Sequence, residues 1–101
     1  MYYSVSLFYK SERSDSVAPL WEERVILVSA ADESEAEKKA QRRAKEYEST
    51  FVASDSVKIE WKFYQVERVH AIDDVIEDGV ELFSRFLRAS EAASILTPFE
   101  D

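Results

Sequence analysis

The sequence predicts an α+β domain: an antiparallel sheet of three to four strands in the chain order β-β-α-β-β, one main helix packed on one face, and a short C-terminal helix. Three observations predict it. Apolar residues alternate with a period of two near the start of the chain and again around Trp61, alanines recur at helical spacing between them, and an alanine-rich stretch runs up to Pro98.

The first strand is read from Tyr2 to Lys10, with Tyr3, Val5, Leu7 and Tyr9 on one face and Tyr2, Ser4, Ser6 and Phe8 on the other. A loop rich in serine and charge follows. The second strand runs from Trp21 to about Ser29, and its core, Val25-Ile26-Leu27-Val28, is apolar on both faces. Such a run suits a central strand covered on both sides. A helix is expected from about Glu33 to Glu48. Ser29 or Asp32 can cap it, Glu35 stands three residues after Asp32 as a capping box requires, and acids precede bases in keeping with the helix dipole. Its inward stripe is Ala36, Ala40, Ala44 and Tyr47, small enough for close approach to a sheet.

After a polar gap, Val57, Ile59, Trp61 and Phe63 face one way while Lys58, Glu60, Lys62 and Tyr64 face the other. Beyond Phe63 the alternation loses phase, which predicts a bulge or bend near Gln65. The segment 80–87 fits a strand or a helix by its apolar spacing, and the strand is preferred. A short helix follows and ends before Pro98.

A chain of 101 residues makes one domain, 1–101, with its core at about 2–88 and a helix and tail at 89–101. An apolar share of 46% with 13 aromatic residues is that of a folded globule. The absence of cysteine removes disulfides, thiol nucleophiles and thiolate metal sites. No apolar run approaches the roughly 20 residues of a membrane span, and the opening MYYSVSLFYK lacks the pattern of a signal peptide, so a cytoplasmic location without membrane contact is expected. The net charge of −8 argues against a nucleic-acid partner. The acidity is uneven, for residues 67–101 hold nine acids and three bases.

Catalytic constellations are scarce. The lone His70, between Val69 and Ala71, reads as the end of a packed strand, and no second histidine completes a relay. No serine sits in a glycine-flanked elbow, and one glycine cannot build a phosphate-cradling loop. Glu22 and Glu23 are neighbours on a strand and point to opposite faces, so they do not converge as an acid and base would. No catalytic residue, cofactor or metal ligand is therefore expected. Trp61 is committed to the core by its phase, and Trp21 reads as core rim.

What remains is a cluster of five acids in nine residues, Asp73, Asp74, Glu77, Asp78 and Glu81, whose spacing does not match a calcium loop. It reads as a solvated patch or as a docking surface for a basic partner. Arg85, next to Ser84 and Phe86 and two residues from Phe83, either rests against aromatic rings to grip a carboxylate or pairs with a nearby acid such as Glu81. The expected function is a non-enzymatic protein-interaction module, in the manner of an immunity or inhibitor protein, with Asp73, Asp74, Glu77, Asp78, Glu81, Arg85 and Glu22 as its contact residues. The alternatives are a homo-oligomer joined through a sheet edge or through Phe83, Phe86 and Phe99, and a metal-dependent enzyme using the acids at 73–81.

The stretches LWEERVILVSAADESEAEKKA, VKIEWKFYQVERV and EDGVELFSRFL together resemble the small bacterial family catalogued as domain of unknown function 4288. The resemblance covers about residues 2–88 and rests on Trp21-Glu22-Glu23, Glu35-Ala36, Trp61-Lys62-Phe63, and Asp78-Gly79 through Ser84-Arg85-Phe86. Where the family pattern carries a glycine before the second tryptophan, this chain has Asp55-Ser56. The resemblance implies a fold, including a strand at 84–86, and implies no activity.

Overall fold

The computed structural model describes residues 1–97. Strands β1 (Tyr2–Arg13), β2 (Trp21–Ser29), β3 (Ser49–Val52) and β4 (Lys58–Ile72) form one antiparallel sheet in the order β2-β1-β4-β3. Helices α1 (Glu33–Ala44) and α2 (Ala89–Leu96) complete the regular structure, with a 3-10 turn at Lys45–Tyr47 continuing α1. The architecture is the expected α+β arrangement of one main helix on an antiparallel sheet.

Strand β1 is the centre of the fold because it alone pairs with two long strands. Its inward residues Tyr3, Val5, Leu7 and Tyr9 are buried under α1, whose Ala36, Ala40 and Ala44 are fully buried against them. Methyl side chains bring the helix backbone close to the sheet, so aromatic and branched residues of β1 and β4 fill the layer between. Asp32 caps α1 by accepting the Glu35 backbone N–H at 2.8 Å. The Glu35 carboxylate turns instead to Lys39, 3.6 Å away.

The run Val25–Val28 does not make a covered central strand. β2 lies at the sheet edge, and although Ile26 and Val28 join the core, Val25 and Leu27 are about half exposed on the opposite face. The reason is topological. β1 takes both neighbouring positions with β2 and β4, and no strand among the described residues pairs with the far side of β2.

The expected irregularity near Gln65 is present as two register shifts. Ser6 faces Arg68 while Leu7 faces Val66, so Glu67 is extra; Phe8 faces Gln65 while Tyr9 faces Phe63, so Tyr64 is extra. Each inserted residue resets the phase. Trp61, Phe63, Val66, Val69 and Ala71 can therefore all pack on the α1 side although they do not share a parity.

The fourth strand is not the expected 80–87. That segment has no regular structure, and the strand at 84–86 implied by the family resemblance is likewise absent. Ser49–Val52, read from sequence as part of a polar gap, pairs with Lys58–Trp61. A tight connection makes this possible. Asp55 accepts the Val57 N–H at 3.2 Å, and Ser56 adopts φ 67°, the left-handed conformation that glycine takes without strain. β3 covers only the Lys58–Trp61 end of β4, and segment 80–87 pairs with no strand among the described residues. The C-terminal helix is found where expected, at Ala89–Leu96. Phe99 lies outside the described residues.

The β1–β2 connection is fixed by Asp15, which accepts from Arg13 at 2.7 and 3.0 Å and from the Val17 backbone N–H at 3.1 Å. The Arg13 hydrogen bonds, then the Val17 bond, hold the Asp15 carboxyl down at about 2 against the opposing effect of desolvation. A carboxyl depressed in the folded state contributes stability above its unfolded pKa, and that contribution disappears as pH falls through about 2. Asp15→Asn is therefore expected to lower stability at neutral pH and to make no difference in strong acid. Denaturant unfolding of both proteins across an acid pH series checks this, and a gap that stayed constant with pH would contradict it.

Candidate functional site

The sheet has two unlike faces. On the α1 side, Arg24 lies over the Tyr47 ring at 4.6 Å and the Tyr9 ring at 5.9 Å, and Arg43 approaches Tyr47 at 5.1 Å. Arg43 and Tyr47, with Lys39 donating to the Ser29 carbonyl at 2.7 Å, border a groove of about 510 Å3 between the free edge of β2 and α1. Glu22 belongs to this side and pairs with Arg24 at 3.0 Å.

Glu23 points to the opposite face, as strand alternation requires. It accepts from the Ser6 hydroxyl at 2.5 Å and lies 3.2 Å from Arg68, which also pairs with Glu67. The Arg68 guanidinium sits 3.3 Å from the centroid of the Phe83 ring, and His70 meets the same ring edge-on at 5.8 Å. Phe83 thus fastens the irregular segment after β4 onto this face. Ser4, cross-strand partner of His70, is buried there with its hydroxyl unpaired among the described residues. Trp21 is also on this face rather than at the rim of the core. It is half exposed, edge-on to Tyr64 at 4.9 Å and beneath Lys10 at 5.3 Å.

Of the seven contact residues expected from sequence, the fold brings four together. Asp74, Glu77, Asp78 and Glu81 surround an open depression of about 440 Å3, with Asp73 next to it in the chain. The segment turns at Gly79, whose φ of 87° favours glycine, and the Val80 N–H donates to the Glu77 carbonyl at 3.1 Å. All five acids are exposed, and none forms an ion pair among the described residues. Among those residues no group of three His, Asp or Glu side chains is placed to hold a metal ion.

Arg85 and Glu22 do not join this group. Glu22 is occupied with Arg24 on the α1 side. Arg85 makes no ion pair with Glu81 among the described residues; it lies 5.8 Å from the Phe83 ring and borders a separate depression with Leu87, Glu91 and Ile95. The close cation–aromatic contact imagined for Arg85 is made by Arg68, which sequence reasoning passed over. Its signal was slight, because the bulge at Glu67 decides which face Arg68 occupies.

This arrangement defines the chain as a small α+β domain with a curled four-stranded antiparallel sheet, one covering helix and an acidic connection to a C-terminal arm. Residues 2–84 match the family described as "Domain of unknown function (DUF4288)", and the chain belongs to that family. No curated protein and no solved structure matches it. No helix among the described residues is long and apolar enough to cross a membrane.

Proposed function

We propose that this chain is a non-enzymatic protein-interaction module that docks a basic partner protein on its acidic segment, residues 73–81. The observation that carries the reading is the state of Asp73, Asp74, Glu77, Asp78 and Glu81: five exposed carboxylates, unpaired among the described residues, the last four of them around one open depression. Several acids elsewhere are paired, as in Arg24–Glu22, Lys39–Glu35 and Lys62–Glu12. Uncompensated charge on one segment creates a local negative field that speeds encounter with a positive surface and weakens as salt rises.

The test is affinity capture from the native host with the wild-type chain and with a variant carrying Asp74→Asn, Glu77→Gln, Asp78→Asn and Glu81→Gln. A basic protein should be retained by the wild type and lost from the variant. Its association rate should fall roughly 10-fold or more on neutralisation and decline steeply with ionic strength. Capture indifferent to the four substitutions would overturn the assignment.

A further inference from the structure

The C-terminal arm and the outer face of the sheet each leave apolar surface uncovered. α2 is within contact distance of no strand and no other helix among the described residues. Phe86 is fully exposed, Leu82 and Ile95 are more than half exposed or close to it, and Leu96 is 80% exposed. A helix of eight residues is far shorter than the roughly 12–15 at which an isolated helix becomes even marginally stable in water, so α2 needs a surface to pack on. On the outer sheet face Trp21, Val25, Leu27 and Tyr64 are about half exposed, and the arm begins on this same face, where Phe83 is held by Arg68 and His70.

The whole molecule shows the same surplus. Its accessible surface is 7532 Å2, whereas a compact monomer of 11.7 kDa exposes about 5,900 Å2. The radius of gyration is 16.4 Å, against about 13 Å for a compact domain of this length. The excess area is larger than the roughly 800 Å2 that each partner contributes to a standard interface.

We infer that two copies of this chain exchange their C-terminal arms, residues 84–96 of each packing on the outer sheet face of the other around a two-fold axis, while Phe83 stays on its own sheet. The reciprocal contact is closed, so it ends at a dimer and does not propagate. It covers both apolar surfaces at once and leaves the acidic segments, which precede the arms, at the margin. The proposal does not rest on the identity of any basic partner.

Sedimentation of the wild-type protein should give a dimer at micromolar concentration. Phe86→Asp with Ile95→Asp should sediment as a monomer under the same conditions, with the dimer dissociation constant raised by about 30-fold or more per substitution if each side chain is an interface anchor. Both positions lie outside the α1 core, so an unchanged thermal transition at low concentration confirms that the variant folds. Placement is read by thiol cross-linking, since the native chain has no cysteine. A mixture of Leu27→Cys chains and Ile95→Cys chains should give a covalent dimer containing one of each. A wild-type protein that remains monomeric at high concentration would overturn the inference. So would a dimer that survives both aspartates, or a Leu27→Cys/Ile95→Cys chain that closes its cross-link within one monomer.

Discussion

Ala40→Asp is expected to abolish cooperative folding. Ala40 is fully buried between α1 and the sheet, with Ala36 and Ala44 fully buried on the same stripe. An aspartate there adds volume to a layer with no space for it, which costs about 1–3 kcal/mol, and it places a carboxylate where the neighbouring residues are apolar. Desolvating that charge costs several kcal/mol more, or the group takes up a proton and remains a poorly bonded polar group. Together these approach the whole stability of a domain this size, about 5–15 kcal/mol. Gln41→Asp, one residue away on the exposed face of α1, is the control and should cost less than about 1 kcal/mol. Near-ultraviolet circular dichroism with denaturant unfolding decides it. An Ala40→Asp protein as stable as Gln41→Asp would mean that α1 does not pack on the sheet as described.

Tyr9 carries the second large effect. Its ring is fully buried, meets Phe63 at 5.7 Å and Tyr47 at 6.4 Å, and its hydroxyl donates to the Ala44 carbonyl at 2.6 Å. That bond satisfies a carbonyl at the C-terminal end of α1, where intrahelical partners run out. Tyr9→Ala should cost about 3–5 kcal/mol by opening a cavity among the rings. Tyr9→Phe keeps the rings and should cost about 1–2 kcal/mol, because it leaves the Ala44 carbonyl without its donor.

The same residue gives an alkaline signature. Burial pushes the Tyr9 phenol up to about 12, with the nearby Arg24 opposing and the charges of Tyr47, Glu48 and Glu22 adding to the rise. Its contribution is complete below the ordinary tyrosine value of about 10 and is lost as pH rises toward 12. Tyr9→Phe should therefore lose less stability than the wild type between those limits, as measured by denaturant unfolding at successive alkaline pH values. Parallel curves for the two proteins would refute the assignment.

The legible parts of the fold were those encoded by local periodicity. Tyr3, Val5, Leu7 and Tyr9 announce one face of β1, Ala36, Ala40 and Ala44 announce the buried stripe of α1, and the lost phase after Phe63 announces the bulges. Each is a pattern within a single element. β3 was missed because four residues, Ser49–Val52, are too few to show a period, and their strand character comes from pairing with β4. Segment 80–87 was misread for the converse reason: its spacing permits a strand, but it pairs with neither the uncovered part of β4 beyond Trp61 nor the free edge of β2, and Phe83 is held instead by side-chain contacts with Arg68 and His70. Val25–Val28 shows the same limit, since an apolar run cannot reveal whether a strand has one neighbour or two.

The candidate site divides similarly. The acids at 73–81 are contiguous, so their grouping was visible in the chain, as was the separation of Glu22 from Glu23. The contact of Arg68 with Phe83 joins residues 15 apart through a bulge and an irregular segment, and no local pattern reports it. By itself, then, the sequence determined the class of the domain, the inward faces of β1 and α1, and the position of its charge, because side-chain alternation and helical spacing are properties of consecutive residues. Only the tertiary structure decided which strand lies at the edge, which cation meets Phe83, and that the C-terminal arm stands clear of its own sheet. Those outcomes depend on competition among distant segments for the same hydrogen-bonding edges and apolar faces, and the winner is fixed only when the chain is assembled.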